Sequence, residues 1–140
     1  MTMPDDVARF LASHTRAFLL SRRRDGAPTI HPMTGFFADG RVVMTTYRKS
    51  AKARNVERDP RATALVVNGY AAGDVRAVCV QGHAALRRAE VGALPTAERT
   101  TPKVGQGVAE TVTARMASGK RVLLEIEPAQ AAFVQRLWSE

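Results

Sequence analysis

The chain has a single cysteine, Cys79, among its 140 residues. That excludes an intrachain disulfide and a cysteine-based zinc site. Its three histidines, His14, His31 and His83, are scattered without ligand-like spacing, so no metal site is expected. No apolar run approaches the roughly 20 residues of a membrane span. The first dozen residues are polar and carry Asp5 and Asp6. That is unlike a secretory leader, and the expected compartment is the cytoplasm. Aromatic residues make up only 6% and do not interleave with the basic ones. Stacking platforms for nucleic acid need that interleaving, so nucleic-acid binding is the weakest reading of the charge. Acids are the other shortage: 13 against 21 Lys and Arg, a net charge of +8. The surplus invites anionic partners, either polyanions or small molecules.

What is present is enough for one folded domain over residues 1–140. Hydrophobic residues make up 45% and charged ones 24%, which is a globular composition and not a disordered one. No repeat, low-complexity segment or linker interrupts it.

The most informative stretch is VMTTYRKSAKARNVERDPR, Val43 to Arg61. An apolar strand-like segment runs into Thr45, Thr46 and Tyr47. Arg48, Lys49, Ser50, Lys52 and Arg54 follow. Ser50 is a suitable helix N-cap, Ala51 to Arg58 can be helical, and Pro60 ends the helix near Asp59. The charges on this helix are reversed. A helix N-terminus prefers acids and its C-terminus bases, yet Lys52 and Arg54 lie near the start, and Glu57 and Asp59 near the end. A hydroxyl, free N–H groups and converging cations make a phosphate site. A solvated basic face on an ordinary strand-to-helix turn has the same composition.

The remaining pattern gives a short helix over residues 4–13, with Val7, Phe10 and Leu11 at helical spacing. Strands follow at Ala17 to Ser21 and Thr29 to Phe37, joined by the Asp25-Gly26 turn. Pro32 makes the second of these an edge or a bulge, and with Gly35 it leaves room for a flat ligand or simply protects an edge. Further strands are expected at Arg41 to Tyr47, Arg61 to Asn68, Val75 to Leu86 and Arg121 to Glu127. Gly82 marks a bulge or a close backbone approach. Short helices are expected at Glu90 to Leu94 and after Pro102, and Pro128 starts a final amphipathic piece ending near Trp138. Six strands with tight turns and flanking helices predict an α+β domain whose antiparallel sheet curls into a small barrel.

The stretch DGAPTIHPMTGFFADGRVVMTTYRKSAKARNVERDPRATALVV, with VCVQGHAAL after it, resembles the split β-barrel family typified by pyridoxamine 5'-phosphate oxidase. Flavin- and deazaflavin-dependent oxidoreductases share that fold. The KARNVERDPRA wording is closest to the branch using coenzyme F420, and FMN-binding relatives carry similar strings. The resemblance implies a cofactor phosphate at TYRKSAKARN, held by Lys52 as a point charge, by Arg54 and Arg48 as guanidinium clamps, and by Lys49 and Ser50. It implies that Thr45, Thr46 and Tyr47 contact the ribityl chain or ring edge, and that Pro32 and Met33 lie along the ring. Both cofactors have a tricyclic ring, a ribityl chain and a phosphate, so this clamp does not separate them. Family members are usually homodimers with the cofactor between subunits. The implied activity is hydride transfer to or from a small organic substrate. No acid–base or nucleophile constellation stands out, which suits chemistry carried by the cofactor. A non-catalytic module binding flavin or heme would use the same barrel.

Overall fold

The computed structural model describes residues 1–69, 76–88 and 119–137, without the side chains of the last two. The expected helices between 87 and 119 and Trp138 lie outside those residues, as do residues 70–75 between the expected strands Arg61 to Asn68 and Val75 to Leu86.

Helix α1 (Asp5–Ser13) starts after Pro4 and carries Asp5 and Asp6 in its first turn, where the helix dipole favours acids. Its buried stripe is Val7, Phe10 and Leu11. Strands β1 (Arg16–Arg22) and β2 (Pro28–Thr34) form the first hairpin. Gly26 takes a φ of 86° in its turn, and the Asp25 carboxylate accepts the Ala27 N–H at 3.0 Å.

The expected single strand from Thr29 to Phe37 is in fact two. The chain leaves β1 at Gly35, whose N–H donates to the Thr15 carbonyl at 2.8 Å. It then re-pairs as β3 (Phe36–Ala38) against β4 (Arg41–Tyr47). The sheet therefore has seven strands, not six, in the order β2-β1-β5-β6-β7-β4-β3. β2 and β3 occupy opposite edges of that order, yet one residue separates them. The sheet must curl until its edges meet, and that closure makes the split barrel. Gly35 lies in the seam: a Cβ there would come within 3.3 Å of Ala17 Cβ and of Val42 Cγ1. At the β3–β4 turn, Asp39 and Gly40 both take positive φ, 53° and 75°, the geometry that matches the twist of a tight hairpin.

Helix α2 (Ala51–Arg58) follows β4 and leads into β5 (Arg61–Val67), β6 (Ala77–Arg88) and β7 (Arg121–Phe133). β7 ends in a single turn, α3 (Val134–Leu137). The expectation that strand structure stops at Glu127 was short. β7 continues through Pro128 because its ladder with β6 shifts between Gln81 and Gly82, leaving Pro128 opposite Gly82. A proline without an N–H is tolerated at such a bulge. Gly82 is required there, since a Cβ would overlap the Glu127 carbonyl.

The core is the inner face of the curled sheet. Leu19, Met44, Val66, Val80, Leu124 and Ile126 are its main side chains, and α1 covers it with Phe10 and Leu11. Cys79 lies outside this core. It is half-buried on the opposite face of β6 from Val78 and Val80. Among the described residues, no helix is long and apolar enough to cross a membrane, and no three metal-ligating side chains cluster.

Candidate functional site

Ser50 caps α2 as expected. Its hydroxyl accepts the Ala53 N–H at 3.1 Å and lies 2.9 Å from the Thr46 hydroxyl. The strand end and the helix start are thus tied by one pair of hydroxyls. No acid stands in the first turn of α2, so the positive end of its dipole is uncompensated by the helix itself.

The far side of α2 is pinned to the β1–β2 hairpin. Asn55 is buried and its amide donates to Ser21 Oγ and Thr29 Oγ1, both at 3.4 Å. Arg58 donates to the Arg22 carbonyl at 2.8 Å and to Asn55 Oδ1 at 2.9 Å. Buried polar groups satisfied in this way fix one rotation of a helix over a sheet. That rotation brings Lys52 to a cleft of about 310 Å³ between the β2–β3 crossing and the end of β4. Pro32, Met33 and Phe36 form one wall, and Thr45, Thr46 and Tyr47 the other.

Sequence reasoning missed Arg121, the first residue of β7, which also lines this cleft. It stands opposite Tyr47 in the β4–β7 ladder. Its guanidinium donates to Thr45 Oγ1 at 2.8 Å and lies over the Tyr47 ring, 4.6 Å from the centroid. Its Nε is buried and has no hydrogen-bond partner among the described residues. The pairing joins positions 76 apart in sequence, so no local motif announced it.

Among the described residues, His31 is the other one with an orphaned buried nitrogen, Nδ1. Burial lowers its pKa, and the charge of Lys52 lowers it further. The imidazole is therefore biased toward its neutral form beside the cleft's cation.

Of the residues expected to bind a cofactor, the cleft gathers Pro32, Met33, Thr45, Thr46, Tyr47 and Lys52. Ser50 adjoins it through Thr46. Arg48 instead lines a separate hollow with Glu57, Leu86 and Arg87. Lys49 and Arg54 are exposed and outside the cleft's lining. Arg54 is two residues beyond Lys52, and side chains at that spacing diverge around a helix. Gln81 is exposed on another surface, in a hollow with Arg61 and His83.

The cleft residues fit a phosphorylated cofactor: two cations, four hydroxyls and an apolar strand edge, with no carboxylate to repel an anion. The sequence model of the pyridoxamine 5'-phosphate oxidase family matches residues 3–135. No curated protein matches the sequence. Among solved structures, a conserved hypothetical protein of Mycobacterium tuberculosis is similar at a TM-score of 0.74 and 26% identity, over 95% of this chain and 85% of that one. An F420 reductase is similar at 0.66 and 16%, over 93% of this chain and 98% of that one. An FAD-binding protein of Mesorhizobium loti is similar at 0.66 and 15%, over 94% of each chain. The last two likenesses concern the fold.

Proposed function

The chain belongs to the pyridoxamine 5'-phosphate oxidase family, and we propose that it is an oxidoreductase binding coenzyme F420, or FMN in its place. The observation that carries this reading is the junction of β4 and α2, where Lys52, the Thr46–Ser50 pair and a helix start without acids converge on one cleft. An F420 reductase and an FAD-binding protein sharing the fold support a flavin-type ligand.

When bound, the cofactor supplies the hydride chemistry with a small organic substrate. The chain's own residues bind and orient. Lys52 places a compact positive charge for the phosphate. Thr45 and Thr46 offer hydroxyls to a polyol chain. Pro32 and Met33 present a flat apolar edge for a ring. No carboxylate or imidazole lines the cleft, and its proton-bearing side chains next to the ligand are Tyr47 and Lys52.

A homodimer belongs to the same proposal. The cleft's volume of about 310 Å³ is at the small end for ligand pockets, which suits a site completed by a second subunit. The outer sheet face carries a row of neighbours across five strands: Pro32, Phe18, Leu65, Cys79 and Ala132. Four are half-buried and Pro32 is exposed, and nearby Ile30 is 62% exposed. Pro32 is shared by this apolar face and the cleft, so a second copy seated on the face would border the ligand. The proposal places the dimer in the cytoplasm, in keeping with the lone cysteine.

Titration of purified protein with F420 and with FMN, followed by absorbance and fluorescence, tests the reading. Binding of one at micromolar levels is expected, and binding of neither contradicts it. A second reading, a non-catalytic flavin carrier, draws on a cleft whose side chains bind and orient, with no carboxylate or imidazole among them. Cofactor binding without turnover with any donor or acceptor would favour it.

A further inference from the structure

We propose that Arg121 is the guanidinium that completes the anion clamp begun by Lys52, and that it makes the cleft selective for phosphorylated over unphosphorylated cofactors. The inference rests on the cofactor reading above and assigns a role to a residue outside the β4–α2 motif.

Three observations carry it. First, the cations nearest in sequence are ill placed to share a ligand with Lys52. Arg54 diverges from it around α2, and Arg48 lines another hollow. Arg121 lines the same cleft as Lys52. Second, Arg121 is held ready. The Thr45 hydroxyl accepts from one Nη at 2.8 Å and the Tyr47 ring lies beneath the guanidinium. A guanidinium fixed in this way loses little freedom when it binds an oxyanion. Third, its buried Nε donor is unsatisfied among the described residues. Leaving such a charged group's donor unpaired is costly, so a site that leaves one has reason to receive an acceptor. A phosphate offers several oxygens and accepts paired N–H donors. The neutral ribityl hydroxyl of an unphosphorylated cofactor offers much less to a cation.

Paired titrations of the full chain test this: FMN against riboflavin, and F420 against its unphosphorylated deazaflavin core. The parent is expected to prefer the phosphorylated form. Arg121→Gln is expected to weaken FMN or F420 binding roughly ten- to a hundredfold, the range of a charge-assisted hydrogen bond, with the unphosphorylated form unchanged. A variant that keeps the parent's preference overturns the role of Arg121 and leaves the cofactor reading standing. A parent that binds none of the four overturns the cofactor reading, and the clamp with it. A second measurement needs no variant. The Arg121 Nε–H resonance of the parent should move on adding FMN or F420 and stay in place with the unphosphorylated forms. A resonance indifferent to the phosphate overturns the proposal even where Arg121→Gln fails to fold.

Discussion

Thr46 and Ser50 hold their hydroxyls 2.9 Å apart, and this contact joins the last turn of strand β4 to the cap of helix α2. Ser50 also accepts the Ala53 N–H. Replacing it with Ala removes a cap and strands a buried Thr46 hydroxyl. The expected loss is about 1–2 kcal/mol of stability, measured by urea unfolding. Ser50→Thr, which keeps the hydroxyl, should recover most of it. Equal losses in both variants would separate the contact from the cap.

Gly82 and Gly35 should differ in cost. A Cβ at Gly82 overlaps the Glu127 backbone carbonyl, whereas one at Gly35 meets side-chain atoms of Ala17 and Val42 at 3.3 Å. Backbone cannot yield as side chains do. Gly82→Ala is expected to destabilise by about 2 kcal/mol or more, and Gly35→Ala by about 1 kcal/mol. Denaturant melts of the two variants give the comparison, and the reverse order would contradict the bulge.

The Asp59 carboxyl is held down to about 2 by hydrogen bonds from the Arg61 side chain and backbone. A depressed acid favours the folded state above its unfolded value near 3.9. That contribution fades as pH falls from about 4 through about 2. Asp59→Asn should lower stability slightly near neutrality, flatten the stability-against-pH curve in this window and converge with the parent below about pH 2. An unaltered acid limb would contradict the pairing.

His31 titrates below its usual value through burial and the Lys52 charge. A base with a lowered folded value opposes folding once it must be charged. Its penalty is absent above about pH 6.5 and grows as pH falls through that value toward the folded one. Replacing Lys52 with Met should raise the His31 midpoint partway, with burial keeping it below normal. Imidazole NMR titration reads this directly. A midpoint unmoved in Lys52→Met would place the two groups farther apart than the structure does.

Breaking the outer apolar row tests the proposed dimer. Leu65→Asp puts a charge between Phe18 and Cys79 on that face, outside the inner core. Sedimentation should show a dimer for the parent and a monomer for the variant. A parent that sediments as a monomer contradicts the assembly.

These features were unequally legible in the sequence. The cap at Ser50 and the bulge at Gly82 could be read because a residue type reports local backbone geometry. Pro32 and Gly35 signalled an irregular strand, but not that the chain crosses there from one sheet edge to the other. That crossing depends on the whole strand order. Pro128 was read as a boundary because a proline normally ends a ladder, and only the facing Gly82 makes it an exception. Lys52 was visible from reversed helix charges. Arg121 was not, since its place is set by pairing with Tyr47 across distant strands. The divergence of Arg54 from Lys52 follows from helix geometry alone.

The central claim is that the β4–α2 junction holds the phosphate of a flavin-type cofactor through Lys52. Equilibrium titration of F420 and FMN into the parent and Lys52→Met, with thermal melts alongside, tests it most directly. The account predicts an affinity loss of roughly tenfold or more in the variant with its melting temperature preserved. A well-folded Lys52→Met that takes up either cofactor as tightly as the parent would contradict it.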